Sequence, residues 1–257
     1  MNARRAGSPP PQAVVCDTDG VLLDSAAVHA TAWKRAFDAC LDRLAPEAGR
    51  QAPFDADTEY RRYVDGRSRY DGAEAFLAAR GIRLPPGDPG DPPGCGTVWA
   101  VAAGKEAAFQ DALDGVQVAC YEDAAEALAV LRSLGVPCAA VSASRHARAF
   151  LDVTGLHHFL AAVVDGEDAA RIGLAGKPDP ALFLHAAGLL GTDPGHTAVV
   201  EDALAGVRAG RRGGFCLVVG LDRTADAHAT PDLRGEGADL VVPDLVTLVR
   251  SVWGERG

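Results

Sequence analysis

Two aspartates one residue apart, Asp17 and Asp19, close the apolar run Ala13-Val14-Val15-Cys16 and are followed by Gly20. In an open α/β sheet, ligands bind at the carboxyl ends of the strands. Two carboxylates at this spacing can share a site yet face different directions, one as nucleophile and one as general acid/base. The same pair also makes an ordinary N-cap and turn. Three further segments place polar groups after apolar runs or before helices. Val141 is followed by Ser142, Ala143 and Ser144, whose two hydroxyls could donate to phosphate oxygens, although a serine there is also a plain N-cap. Lys177, in Gly176-Lys177-Pro178-Asp179-Pro180, precedes a helical pattern, where its charge could offset a phosphate or simply face solvent. Val200 leads into a second acidic pair, Glu201 and Asp202. Together the two pairs supply enough hard oxygen ligands for Mg²⁺.

The elements that must position these groups follow from the apolar pattern. Residues 13–16, 138–141, 161–164, 197–200, 215–219 and, more weakly, 240–242 are short runs without alternation. That is the pattern of parallel strands buried on both faces. Between them, residues 122–134 carry Ala125, Leu128, Leu131 and Leu134 at helical spacing before Gly135, and residues 180–190 form a second helix with Pro180 suited to its first turn. Strands alternating with helices predict a doubly wound parallel α/β sheet. Residues 27–112 break the rhythm, with helical stretches over 28–41, 72–79 and 105–113, no convincing buried strand, and a Pro/Gly-rich loop at 84–96. This segment reads as a helical insertion after the first strand. Residues 1–12, with three consecutive prolines, read as a flexible leader.

A net charge of -10 argues against a non-specific nucleic-acid binder or a protein of anionic membranes. It leaves room for a small anionic substrate in a locally positive pocket. The six cysteines form no CxxC pair and several lie in apolar runs, which suits a reducing compartment without structural zinc. With no secretory h-region and no apolar stretch of membrane-spanning length, the expected location is the cytoplasm.

In chain order, Asp17/Asp19, Ser142, Lys177 and Glu201/Asp202 resemble the four motifs of the haloacid dehalogenase superfamily, and the likeness runs from about residue 13 to 245. The resemblance implies a Rossmann-like core, residues 13–26 and 113–257, with a helical cap, residues 27–112. Dehalogenase members lack the second carboxylate, so Asp19 points to phosphoryl transfer. The stretch Asp19-Gly20-Val21-Leu22-Leu23-Asp24-Ser25, followed by His29 and Trp33, is similar to the β-phosphoglucomutase branch. In that branch the histidine at His29 couples cap closure to the general acid/base. Gly66 and Arg69 match a cap loop in which the arginine clamps the distal phosphate. Lys105 resembles a second cap residue facing the site, Arg145 a basic residue toward the distal phosphate, and Ser25 lies at the motif's end among the residues expected to bind substrate.

The resemblance further implies an aspartyl phosphate on Asp17. Mg²⁺ would be held by Asp17, the Asp19 carbonyl and Asp202, with Glu201 acting through its neighbours. Ser142 and Lys177 would cradle the phosphoryl oxygens, with Ala143 and Ser144 beside them. The implied partner is a small phosphorylated sugar, and the implied state a monomer. The expected reaction is β-glucose 1-phosphate to glucose 6-phosphate through the bisphosphate, the alternative being a sugar-phosphate phosphatase. Three departures stand out. Thr18 replaces a large apolar residue, with its side chain expected to point away from the site by strand alternation. Asp65 replaces a lysine, with Arg67 nearby to restore the charge, and Glu106 replaces an asparagine beside Lys105.

Overall fold

The first apolar run forms β1 (Ala13–Asp17), buried at every position. It lies inside a six-stranded sheet among the described residues of the computed structural model, which are 9–48, 51–113, 117–224 and 228–254. The strands that join it are β4 (Cys138–Val141), β5 (Ala162–Val164), β6 (Thr197–Glu201), β7 (Leu217–Leu221) and β8 (Leu240–Val242). Two shorter strands, β2 (Leu23–Asp24) and β3 (Ala119–Cys120), pair antiparallel beside it. The sheet order is β5-β4-β1-β6-β7-β8, with every neighbouring pair parallel. From β1 the chain builds outward through β4 and β5, then crosses to β6 and builds the other way. The switch point therefore falls between β1 and β6, where such sheets bind ligands. Asp17 is level with Val141, and Cys16 with Val200, so the ends of β1, β4 and β6 lie side by side.

The non-alternating runs are explained by helices on the sheet. These include α4 (Glu122–Ser133), α5 (Ala147–Val153), α6 (Gly166–Ile172), α7 (Ala181–Leu189), α8 (Leu204–Arg212), α9 (Ala229–Glu236) and α10 (Leu245–Trp253). Val15, Val141, Val164, Val199 and Val218 from the strands meet Leu182, Phe183, Val207 and Leu233 from the helices in one buried cluster. The doubly wound parallel α/β architecture expected from the sequence is the one observed.

The chain forms two compact units, one running to Asp24 and resuming at Ala119, the other Ser25–Val118. The second unit is helical. It comprises α1 (Ala26–Ala48), a π-helical turn at Tyr60–Val64, α2 (Arg69–Ala79) and α3 (Val98–Leu113). Its core is aromatic, with Phe37 packed 4.0 Å from Phe76 and 4.7 Å from Trp33, ring centre to ring centre.

Several boundaries differ from the sequence reading. The helix expected from residue 105 begins at Val98, because the Thr97 hydroxyl accepts the Ala100 N–H at 3.0 Å and starts it directly after the Pro/Gly loop. Its first turn is almost entirely apolar and buried, so no helical period is visible there. Helix α1 is longer at both ends than residues 28–41. Pro180 caps α7 rather than occupying its first turn. The strand expected over 215–219 lies two residues later, since Phe215 packs into the core ahead of the ladder. Of the expected leader, residues up to 8 lie outside the described part, while the Pro11 carbonyl accepts the Trp253 indole N–H at 3.1 Å. None of the six cysteines is in a disulfide. No helix among the described residues is long and apolar enough to cross a membrane.

Candidate active site

At the end of β1 the Asp17 carboxylate is buried and accepts from the Lys177 ammonium. Lys177 is itself fully buried, donates to Glu201 Oε1 at 2.5 Å, and lies 4.9 Å over the Phe183 ring. The solvent-facing reading of this lysine is therefore wrong. The second oxygen of Glu201 accepts the Ala203 N–H at 2.7 Å, so both of its oxygens are engaged by the protein. Room for that carboxylate comes from Gly206 on α8, where a side-chain Cβ would fall 1.7 Å from Glu201 Oε1.

Asp19 turns the other way. Its Oδ2 accepts from the Ser142 hydroxyl at 2.9 Å and from the Thr18 hydroxyl at 3.3 Å. Thr18 thus does not point away as strand alternation suggests. The strand ends at Asp17, and the Thr18 carbonyl already closes a turn by accepting the Leu22 and Leu23 N–H groups. Ser142 Oγ in turn accepts the Ser144 N–H at 3.0 Å. Ala143 and Ser144 are half-buried beside it, and Arg145 is exposed.

The electrostatics are unbalanced. Burial pushes Asp17 well above the ordinary carboxylate range; Lys177 pulls it back, while Glu201 and Asp19 add to the rise. Burial alone would depress Lys177, but Asp17 and Glu201 together hold it raised. Lys177 is the charged member, because two carboxylates share its ammonium, and Asp17 is the group left under-compensated. Asp17, Glu201 and Asp202 bring carboxylate oxygens within 4.8 Å of one another. These three clustered carboxylates, all hard oxygen donors, fit a divalent cation such as Mg²⁺. Gly20, with φ +83°, is part of the same fit, since a Cβ there would lie 1.8 Å from Asp202 Oδ2. The backbone geometry and the space both require glycine.

In the helical unit, Gly66 turns the chain at φ +69° and Ser68 caps α2, accepting the Asp71 N–H at 3.2 Å. Arg69 follows as the first helical residue. It pairs with Glu106 at 3.2 Å and lies 5.9 Å over Trp99. Buried Lys105 lies 3.0 Å from His29 Nδ1 and 4.3 Å over Phe109, against which His29 is stacked. An ammonium only donates, so with Lys105 charged His29 is neutral and carries its proton on Nε2. The carbonyl of buried Ser25 accepts the His29 N–H at 3.1 Å. Sequence-predicted residues thus gather in two sets: Asp17, Asp19, Ser142, Lys177, Glu201 and Asp202 in one unit, and His29 with Lys105 in the other.

Residues 11–214 match the model of the haloacid dehalogenase-like hydrolases. The chain belongs to that family. Within it, the chain is of the β-phosphoglucomutase-like branch, and is an enzyme, a phosphomutase or a phosphatase. A β-phosphoglucomutase of Mycobacterium bovis is 43% identical over 241 residues, which is 93% of this chain and 91% of that one. A β-phosphoglucomutase of Bacillus subtilis is 29% identical over 239 residues, 90% and 88% of the two chains. A haloacid dehalogenase family hydrolase of Deinococcus radiodurans, solved with bound phosphate and sodium, superposes with a TM-score of 0.63 at 31% identity, covering 95% of this chain and 96% of its own.

Some residues of this site leave little trace in the sequence. Gly206 left a signal, as a glycine inside a helical pattern often marks a close approach. Thr18 stands out in the sequence, but strand alternation gives its side chain the wrong direction. Arg223 left none, for its partners, the Gly20 and Val21 carbonyls and the Asp123 carboxylate, are far from it in sequence.

Proposed function

We propose that the protein transfers a phosphoryl group through Asp17 and is a β-phosphoglucomutase, converting β-glucose 1-phosphate to glucose 6-phosphate through glucose 1,6-bisphosphate. The observation that carries the choice of mutase is the 43% identity to a β-phosphoglucomutase over nearly the full length of both chains.

In this reading Asp17 attacks phosphorus in line and the sugar oxygen leaves, giving an aspartyl phosphate. Asp19 gives its proton to the departing oxygen and takes one back from the hydroxyl that attacks next. Hydrogen bonds from Ser142 and Thr18 hold the Asp19 carboxylate in a fixed direction. Lys177 stays charged and offsets the negative charge of the transferred group and of Asp17. Glu201 holds Lys177 in place and is itself held by the Ala203 N–H. Mg²⁺, carried by Asp17, Asp202 and the Asp19 carbonyl, would supply Lewis-acid charge to the phosphoryl oxygens. Arg69 and Lys105 supply cationic groups for selecting a phosphorylated sugar, with His29 held by Lys105.

Hydrolysis is the second reading. The matching family model is described as one of hydrolases, and water can replace the sugar hydroxyl as acceptor on the same residues. A coupled assay separates the two. It uses β-glucose 1-phosphate, Mg²⁺ and trace glucose 1,6-bisphosphate, beside phosphate release from a panel of sugar phosphates. Isomerisation faster than phosphate release supports the mutase; faster release of phosphate from glucose 6-phosphate makes the protein a phosphatase.

A further inference from the structure

Arg223 follows β7 by two residues and commits its whole guanidinium within the sheet-bearing unit. Its Nε donates to the Gly20 carbonyl at 3.1 Å and its Nη2 to the Val21 carbonyl at 2.9 Å. Nη1 and Nη2 also donate to the two oxygens of Asp123, both at 2.9 Å. The guanidinium lies 3.8 Å over the ring of Tyr121. Asp123 Oδ2 further accepts the Leu245 N–H at 2.8 Å, so the start of α10 is fastened to the same point. The Arg223 and Asp123 side chains are only 18% and 19% exposed.

Gly20 and Val21 are the two residues that follow Asp19. The inner face of their turn is closed by its own backbone, with Gly20 N–H on the Leu23 carbonyl and the Leu22 and Leu23 N–H groups on the Thr18 carbonyl, all between 2.8 and 2.9 Å. Its Gly20 and Val21 carbonyls take Arg223 as donor. A planar fork with five donors can reach two carbonyls and two carboxylate oxygens together; an ammonium cannot.

We infer that Arg223 is a positioning residue for Asp19, fixing the turn that aims its carboxylate at Ser142 and so at the proton transfer. The inference rests on the reading of Asp19 as the general acid/base. A general acid matters most when the leaving oxygen is a basic sugar alkoxide and least when it departs as a stable phenolate. Loosening the turn therefore slows sugar-phosphate turnover more than aryl-phosphate turnover. A loss that acts through Gly20 on Asp202 is common to both substrates and cancels in their ratio.

The test is kcat and KM of wild type, Arg223→Ala, Arg223→Lys and Asp123→Asn on β-glucose 1-phosphate and on p-nitrophenyl phosphate, with thermal unfolding alongside. In Arg223→Ala the loss of kcat on the sugar phosphate exceeds that on the aryl phosphate by about tenfold or more, with KM changed little. Arg223→Lys recovers little of it, since it keeps the charge without the fork. Asp123→Asn, which leaves the bonds to Gly20 and Val21, shows a smaller excess. Equal losses on the two substrates, or full rescue by lysine, overturn the inference. If Arg223→Ala does not fold, the same ratio in Arg223→Lys decides. Wild-type protein inactive on both substrates overturns the phosphoryl-transfer reading and this inference with it, whereas equal losses from an active wild type overturn this inference alone.

Discussion

The Asp202 carboxylate occupies the space that a side chain on Gly20 would fill, with an ideal Cβ only 1.8 Å from Asp202 Oδ2. The turn after β1 and the acid after β6 are thus fitted to each other across the switch point of the sheet. Gly20→Ala must displace Asp202 and adopt a left-handed backbone costing roughly 1–2 kcal/mol. An ångström-scale shift of a positioned group costs about 100-fold in rate. The expected result is a kcat lower by about that factor in a protein that still folds, measured by steady-state kinetics beside circular dichroism. Near-normal kcat would show that the tight fit is not functional.

Metal binding has a readout separate from turnover. If Asp17 and Asp202 hold Mg²⁺, the ion stabilises the fold by mass action, about 2.7 kcal/mol at a concentration 100 times its dissociation constant. Thermal unfolding with and without EDTA should show the shift in wild type and its loss in Asp202→Asn. An equal shift in both proteins would remove Asp202 from the ligand set.

Asp17 is raised by burial first, with Glu201 and Asp19 adding to it, so the folded, metal-free protein holds this proton more tightly than the unfolded chain does. Such a group contributes stability below the ordinary carboxylate pKa and loses it as pH rises through the raised value. Asp17→Asn does not titrate. Without metal its stability relative to wild type should therefore grow from acid toward neutral pH, even though the variant is catalytically dead. Urea unfolding in EDTA across that range checks it; a difference independent of pH would contradict the assigned shift.

Removing Lys177 leaves Asp17 and Glu201 buried without their shared cation. Breaking a buried ion pair on one side costs about 3–5 kcal/mol. Lys177→Met should lose stability on that scale at neutral pH and less in acid, where carboxylates can protonate. Equal losses at both pH values would mean that packing against Phe183, not charge, accounts for the lysine's burial.

Arg69 tests the choice of reaction. Arg69→Ala should damage isomerisation of β-glucose 1-phosphate far more than hydrolysis of a generic aryl phosphate, because only the sugar bisphosphate has a second phosphate to hold. Equal losses would argue against that role.

Much of the core was legible because a parallel strand buried on both faces writes itself as an unbroken apolar run. The first polar residues after β1, β4 and β6 are then the ones delivered to the sheet edge. Asp17, Ser142 and Glu201 were visible for that reason. Lys177 was ambiguous, since a loop lysine before a helix looks the same whether solvated or buried; two carboxylates from other strands decide it. Alternation does not predict the direction of Thr18, because the strand ends one residue before it. The start of α3 is hidden by a uniformly apolar first turn, and Arg223 by partners, two backbone carbonyls and the Asp123 carboxylate, that are far from it in sequence. In the helical unit, Glu106 stood out as a departure, but its pairing with Arg69 depends on how α2 and α3 pack, which spacing does not encode.

The central claim is that Asp17 becomes phosphorylated. The most direct measurement is a rapid quench of the Mg²⁺-loaded enzyme with labelled β-glucose 1,6-bisphosphate, followed by peptide mapping. The label should appear on Asp17, be released by hydroxylamine as an acyl phosphate is, and be absent in Asp17→Asn. A wild-type enzyme that turns over without labelling Asp17, or an Asn variant that remains active, would contradict the account.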